Sequence, residues 1–196
     1  IGMNAVKAAT ADDYVFILAQ AATVAVTPYL NANAHYDIDK DLVPVALVGD
    51  SPLMIVGPAS SKGSLAEVLR QAESTKTPLT VAVTGNYSLP HMTAELIKRR
   101  TKANLNVVPF PSSGSALTAV VSGDADLLID GIPGVESMLK GGRIKALTVT
   151  SAKRVGTYPD VPPLSDAIPG VSVNGWFALF GKNPTAAPVV ERLNRE

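Results

Sequence analysis

The sequence predicts an α/β fold built on a mostly parallel sheet with helices on both faces, and three observations predict it. Between Ser64 and Thr150, short β-prone runs alternate four times with segments of helical spacing, the pattern of strands joined by crossover helices. The β-prone runs are apolar without clean polar alternation, as strands covered on both faces are. Hydrophobic residues make up 46% of the 196 residues and charged ones 17%, which is ample for a core and unlike a disordered chain.

The elements follow in order. Tyr14 to Leu30 is the most apolar stretch, but Gln20, Thr23, Thr27 and Pro28 interrupt it. It falls short of the roughly 20 clean residues of a spanning helix, and a buried strand followed by a loop is expected. Ser64 and Glu67 have the spacing of a capping box, and Leu65, Val68, Leu69 and Ala72 continue at helical spacing. Leu79 to Val83 is a strand-like run. A helix with Met92, Leu96 and Ile97 on one face follows, then a strand over Asn106 to Phe110. Ala116, Leu117, Val120 and Val121 mark the next helix. Leu127 to Asp130 reads as a strand, Val135 to Lys140 as a helix closed by Gly141-Gly142, and Lys145 to Val149 as a strand. Val189 to Glu196 reads as a helix without a cap, and Ile1 follows no basic, apolar leader, so both ends read as cut.

Composition excludes several classes. Lys+Arg and Asp+Glu both count 17 and no basic stripe appears, which argues against nucleic acid as a partner. There is no cysteine, hence no disulfide, zinc-thiolate site or cysteine nucleophile. No phosphate-binding glycine loop and no His/Glu metal spacing is present, so neither a cofactor nor a metal is expected.

In a parallel sheet, ligands sit at the carboxyl ends of the strands. Three loops share that edge: Thr84 to His91, Pro111 to Ser115, and Asp130 to Gly134. They offer hydroxyls, an amide and the N–H groups of helix starts, which attract anions, and none contains Lys or Arg. Neutral donors of this kind suit reversible capture of a carboxylate and suit phosphoryl transfer badly. The same Ser and Asn residues also serve simply as helix caps, and the glycines as turns. His91 is either a helix-start histidine or a ligand contact. Asp130 either caps the next turn or receives an amino or hydroxyl group of a ligand.

Ser88, His91 and Asp130 supply the residue types of a hydrolytic triad. The context differs from a nucleophile elbow, because Gly85 lies three residues before Ser88 and Pro90 stands where glycine is needed. A ligand-sensing domain of a regulator is a further alternative, although no DNA-binding helix-turn-helix accompanies it.

Several stretches resemble a known family. Tyr36-Asp37-Ile38-Asp39-Lys40-Asp41-Leu42-Val43-Pro44-Val45 is one. Gly85-Asn86-Tyr87-Ser88 with His91-Met92-Thr93-Ala94-Glu95-Leu96 is a second. Val108-Pro109-Phe110, Ala116-Leu117-Thr118 and Gly123-Asp124-Ala125-Asp126 form a third, continued by Ala146 to Arg154, Pro159 to Pro163 and Trp176. In this order and spacing they resemble the Bug-type solute-binding receptors of tripartite tricarboxylate transporters, nearly end to end.

The resemblance implies a type II periplasmic-binding-protein fold with two lobes, 1–57 plus 171–196 as a partial first lobe and 58–170 as the second. It implies a hinge near Gly57-Pro58 and Pro169 to Val173, a small carboxylate such as a dicarboxylate in the cleft, a separate membrane permease as partner, periplasmic localisation and no catalysis. Carried over by position, the ligand contacts are Asn86, Tyr87, Ser88, His91, Ser112, Ser113, Gly114, Ser115 and Asp130, with Thr23 from the loop around Ala21 to Thr27. The resemblance also implies sequence before Ile1 and beyond Glu196. Three departures stand out: Tyr87 occupies a position where a small glycine is usual, Phe110-Pro111 replaces Tyr-Lys, and Lys182-Asn183-Pro184-Thr185 replaces Pro-Ala-Gly-Thr.

Overall fold

The computed structural model of the chain describes residues 2–10 and 14–196. They divide into two compact units, one formed by 1–50 with 175–196 and the other by 51–174.

In the first unit, α1 (Gly2–Ala8) precedes β1 (Phe16–Gln20). The segment after β1 is helical rather than a loop, with α2 (Ala21–Ala25) and α3 (Thr27–Leu30) in succession. Pro28 sits in the first turn of α3, where its missing N–H costs nothing, so it starts this helix instead of breaking one. The expected burial of β1 is also corrected: Ala19 is its buried residue, and Leu18 is exposed. α4 (Ile38–Asp41) begins at Asp37, whose carboxylate accepts the N–H groups of Asp39 and Lys40. It leads into β2 (Leu42–Pro58), a long strand whose first half belongs to this unit and whose second half belongs to the other.

In the second unit, α5 (Leu65–Ser74) is followed by β3 (Leu79–Thr84), α6 (Leu89–Arg100), β4 (Leu105–Phe110), α7 (Ser113–Ser122), β5 (Leu127–Gly131), α8 (Ile132–Lys140), β6 (Ile144–Val149) and α9 (Leu164–Ala167). The chain then returns to the first unit through β7 (Asn174–Lys182), which pairs antiparallel with β1, and α10 (Ala187–Arg195). Met3, Val6, Ala19, Leu42, Ala178 and Phe180 form the core of that unit.

The sheet of the second unit runs β6-β2-β5-β3-β4. β3 pairs parallel with β4 and with β5, as the alternating pattern predicts. β6 shares their direction, but β2 is wedged between β5 and β6 and runs antiparallel to both, so the sheet is mixed. No strand is expected here from the sequence, and Pro44, Gly49, Pro52 and Gly57 within β2 are residue types that strand interiors disfavour.

Side chains of the central strands alternate between two cores. Leu53, Ile55, Val81, Val83, Leu127 and Ile129 face α5 and α6, whereas Met54, Val56, Ala82 and Leu128 face α7 and α8. Helices therefore cover both faces, which accounts for the unbroken apolar runs of these strands. On α6 the inward face is Pro90, Thr93, Ala94 and Ile97, one step round from the expected Met92 and Leu96, which are only half-buried.

The expected capping box at Ser64 forms. The Ser64 hydroxyl accepts the Glu67 N–H at 3.3 Å and the Glu67 carboxylate accepts the Ser64 N–H at 2.7 Å. The latter bond, first among its causes, holds the Glu67 carboxyl below its usual range. Ser64→Ala is expected to lower stability by about 1 kcal/mol in urea denaturation, with an unchanged m value. At the other end of the unit, Gly142 takes the left-handed conformation (φ 64°) just past α8, as the paired glycines predict.

Candidate functional site

Because β5, β3 and β4 are adjacent and parallel, their carboxyl ends meet on one rim, and each runs almost directly into a helix. α6 begins on one face of the sheet, α7 and α8 on the other. The first N–H groups of a helix have no partner inside it, so three helix starts present donors and positive dipole ends along this rim. Pro90 and Pro133 each remove one donor from the first turns of α6 and α8. The rim segments contain no Lys or Arg.

At α6, Ser88 is the N-cap. Its hydroxyl accepts the His91 N–H at 3.2 Å and donates to the Gly85 carbonyl at 3.0 Å. His91 Nδ1 accepts the Tyr87 N–H at 3.2 Å, and the two rings meet edge to face with centroids 6.4 Å apart. Asn86 and Tyr87 are exposed beside them. Tyr87 holds a left-handed backbone (φ 59°), a conformation that costs an L-residue roughly 1–2 kcal/mol and glycine little. Tyr87→Gly is therefore expected to hold or raise thermal stability by up to about 1 kcal/mol despite the lost ring contact, as a melting curve would record.

At α7, Ser112 is the N-cap and forms a reciprocal capping box with Ser115. The Ser112 hydroxyl accepts the Ser115 N–H at 3.2 Å and the Ser115 hydroxyl accepts the Ser112 N–H at 3.3 Å. Ser113 and Gly114 occupy the first two helical positions, so their N–H groups are unused by the helix. Helix capping is thus what the hydroxyls of Ser88, Ser112 and Ser115 do in this structure, and the remaining backbone donors are what the rim offers an anion.

At α8, Asp130 is the last residue but one of β5 and lies on the face that α7 and α8 cover, following Leu128 by two residues. It is 7% exposed. Its Oδ1 accepts the Gly131 N–H at 2.8 Å and the Thr84 hydroxyl at 3.4 Å, tying the ends of β5 and β3 together. Its Oδ2 is buried and has no hydrogen-bond partner among the described residues. The start of α8 crosses this oxygen so closely that a Cβ at Gly134 would lie 2.9 Å from Oδ2 and 3.4 Å from the Ser113 hydroxyl. Thr84 and Gly134 join this site although the sequence does not mark them out. Both lie within the three loops, but their roles depend on the neighbouring strand and helix, which leave no local sequence signal.

Thr23 belongs to the first unit, on α2 rather than on a loop. Its carbonyl accepts the Tyr36 hydroxyl at 2.7 Å, and it lines a pocket of about 390 Å³ together with Gln20, Thr27, Asn31 and Tyr36. Burial raises the pKa of the Tyr36 hydroxyl.

Ser88, His91 and Asp130 do not assemble as a triad. The Ser88 hydroxyl donates to a backbone carbonyl, the His91 imidazole takes a backbone N–H, and Asp130 is bonded to Thr84 and Gly131. Among the described residues no group of three or more His, Asp or Glu side chains is placed to hold a metal ion, and no helix is long and apolar enough to cross a membrane.

Comparison with solved structures defines the class. Rpa4515 of Rhodopseudomonas palustris, solved with adipate, superposes with a TM-score of 0.88 at 27% identity, over 99% of this chain and 66% of that one. MatC of the same organism, solved with bound malate, does so with a TM-score of 0.82 at 31% identity, over 99% and 67%. The periplasmic binding protein BugD gives 0.81 at 25% identity, over 96% and 63%. The fold is that of the periplasmic binding proteins. All of residues 1–196 match the model of the tripartite tricarboxylate transporter family receptor, and the chain belongs to that family. A UPF0065 protein of Bordetella bronchiseptica is 33% identical over the whole chain and BugT of Bordetella pertussis 30%. The chain spans 58% and 61% of the length of these two relatives.

Proposed function

We propose that this protein is an extracytoplasmic receptor that captures a small carboxylate and delivers it to a separate membrane permease. The observation that carries the reading is the convergence of three helix starts, bearing uncharged donors, on one rim of the second unit. A carboxylate there accepts hydrogen bonds from Ser113, Gly114 and neighbouring N–H groups and gains from the dipoles of α6 and α7. Asn86, Tyr87, Ser88, His91, Ser112, Ser115 and Asp130 surround it. No cation has to be desolvated, so the ligand comes and goes without a large barrier. No bond is made or broken. Membership of the receptor family and the likeness to structures solved with adipate and with malate support a dicarboxylate or related organic anion as ligand and the periplasm as the place of capture.

The test is a thermal-shift panel of di- and tricarboxylates, aromatic acids and amino acids on the full-length protein. A true ligand at one hundred times its Kd adds ~2.7 kcal/mol of stability and raises Tm in a concentration-dependent way. A flat response to every acid would overturn the reading, and turnover of an ester or amide abolished by Ser88→Ala would replace it with a hydrolase.

A further inference from the structure

We propose that Asp130 is a specificity-determining residue that reads a hydrogen-bond donor on the ligand, so that the preferred ligands are carboxylates bearing a hydroxyl or ammonium group on their chain. The inference rests on the proposed capture of a carboxylate and narrows its chemical class.

The argument begins with an imbalance. Buried carboxylate oxygens are hydrogen-bonded almost without exception, because leaving one unpaired forfeits its hydration. Asp130 uses Oδ1 on the Gly131 N–H and the Thr84 hydroxyl, and leaves Oδ2 with no partner among the described residues. A structural carboxylate has partners on both oxygens, as Asp37 does at the start of α4, where Oδ1 accepts the N–H groups of Asp39 and Lys40 and Oδ2 pairs with the Lys40 ammonium at 2.8 Å. Asp130 instead aims its free oxygen into the gap between the starts of α7 and α8, among the groups assigned to the ligand.

Oδ2 faces the bare Cα of Gly134, where a Cβ would come within 2.9 Å of it and within 3.4 Å of the Ser113 hydroxyl. Ser113 and Gly134 are themselves only half-buried, and the Ser113 hydroxyl has no partner among the described residues. An unpaired negative oxygen there repels a second anionic group and attracts a donor. The ligand therefore places its carboxylate on the helix-start N–H groups and turns a hydroxyl or ammonium toward Asp130. A site built to hydrogen-bond a donor discriminates strongly against an analogue that lacks it, since the protein group is then left unpaired.

Malate, aspartate and succinate share one four-carbon dicarboxylate skeleton and differ in carrying a hydroxyl, an ammonium or neither. Isothermal titration of the full-length protein with each is the test, repeated on Asp130→Asn. At least one of malate and aspartate is expected to bind roughly 10-fold or more tightly than succinate, and that ratio is expected to collapse in Asp130→Asn. Succinate binding as tightly as both in the native protein overturns the inference while leaving carboxylate capture intact. A preference that survives in Asp130→Asn also overturns it and leaves Asp130 a structural residue. Should Asp130→Asn fail to fold, the native ratio still decides, with Gly134→Ala, which crowds Oδ2, expected to narrow it. Failure of all three acids and of the wider panel removes the capture reading itself.

Discussion

Ser115→Glu is expected to leave the protein at least as stable as the native chain while weakening carboxylate binding by roughly 10-fold or more. Ser115 sits at the third position of α7, where its hydroxyl takes the Ser112 N–H in the reciprocal capping box. Glutamate at that position makes the same bond, and its charge is favourable at a helix start by about 0.3–1 kcal/mol. The same charge stands on the rim that is proposed to hold the ligand's carboxylate, where two like charges a few ångströms apart in a partly desolvated site repel by well over 1 kcal/mol. Stability and binding thus move in opposite directions, which no folding defect reproduces. Paired melting curves and titrations measure both. Equal affinity in the two proteins would mean that the anion binds elsewhere.

Leu128→Ala is expected to destabilise the second unit by about 2–5 kcal/mol, with a fall in Tm on the order of 10 °C. Leu128 is wholly buried in the core formed by Met54, Val56, Ala82, Ala116, Val120 and Val135. It lies in the centre of β5, paired with β2 on one side and β3 on the other, so the cavity has little room to collapse. The same change also loosens the strand that carries Asp130, two residues on. Denaturant titration measures the loss, and a change below about 1 kcal/mol would show that this core is not close-packed.

Much of the second unit was legible because its signals are local. Helical spacing, the Ser64 and Glu67 capping pair, the Gly141-Gly142 stop and the apolar runs at residues 79–83 and 127–130 each depend on a few neighbouring residues. The rim followed from them, since strands that alternate with helices in one direction must end on the same edge. Tyr14 to Leu30 is less legible. Its apolar run shows the strand, but Pro28 resembles a breaker although it starts α3. Ser88, Ser112 and Ser115 are read in the sequence as ligand contacts or as helix caps; their hydroxyls cap helices, so the donors left exposed are backbone groups that no sequence pattern displays.

The amino-acid sequence by itself determined the alternation of elements, the place of the three helix starts and the absence of cations among them, because periodicity, caps and charge are written in adjacent residues. Only the tertiary structure decided that β2 lies antiparallel between β5 and β6, that Gly134 crosses Asp130, and that one oxygen of that carboxylate is buried with no partner among the described residues. The physical reason is distance along the chain. Met54 meets Val149, and Asp130 meets Thr84, across separations that no local propensity encodes, and which group faces an oxygen is settled by packing alone.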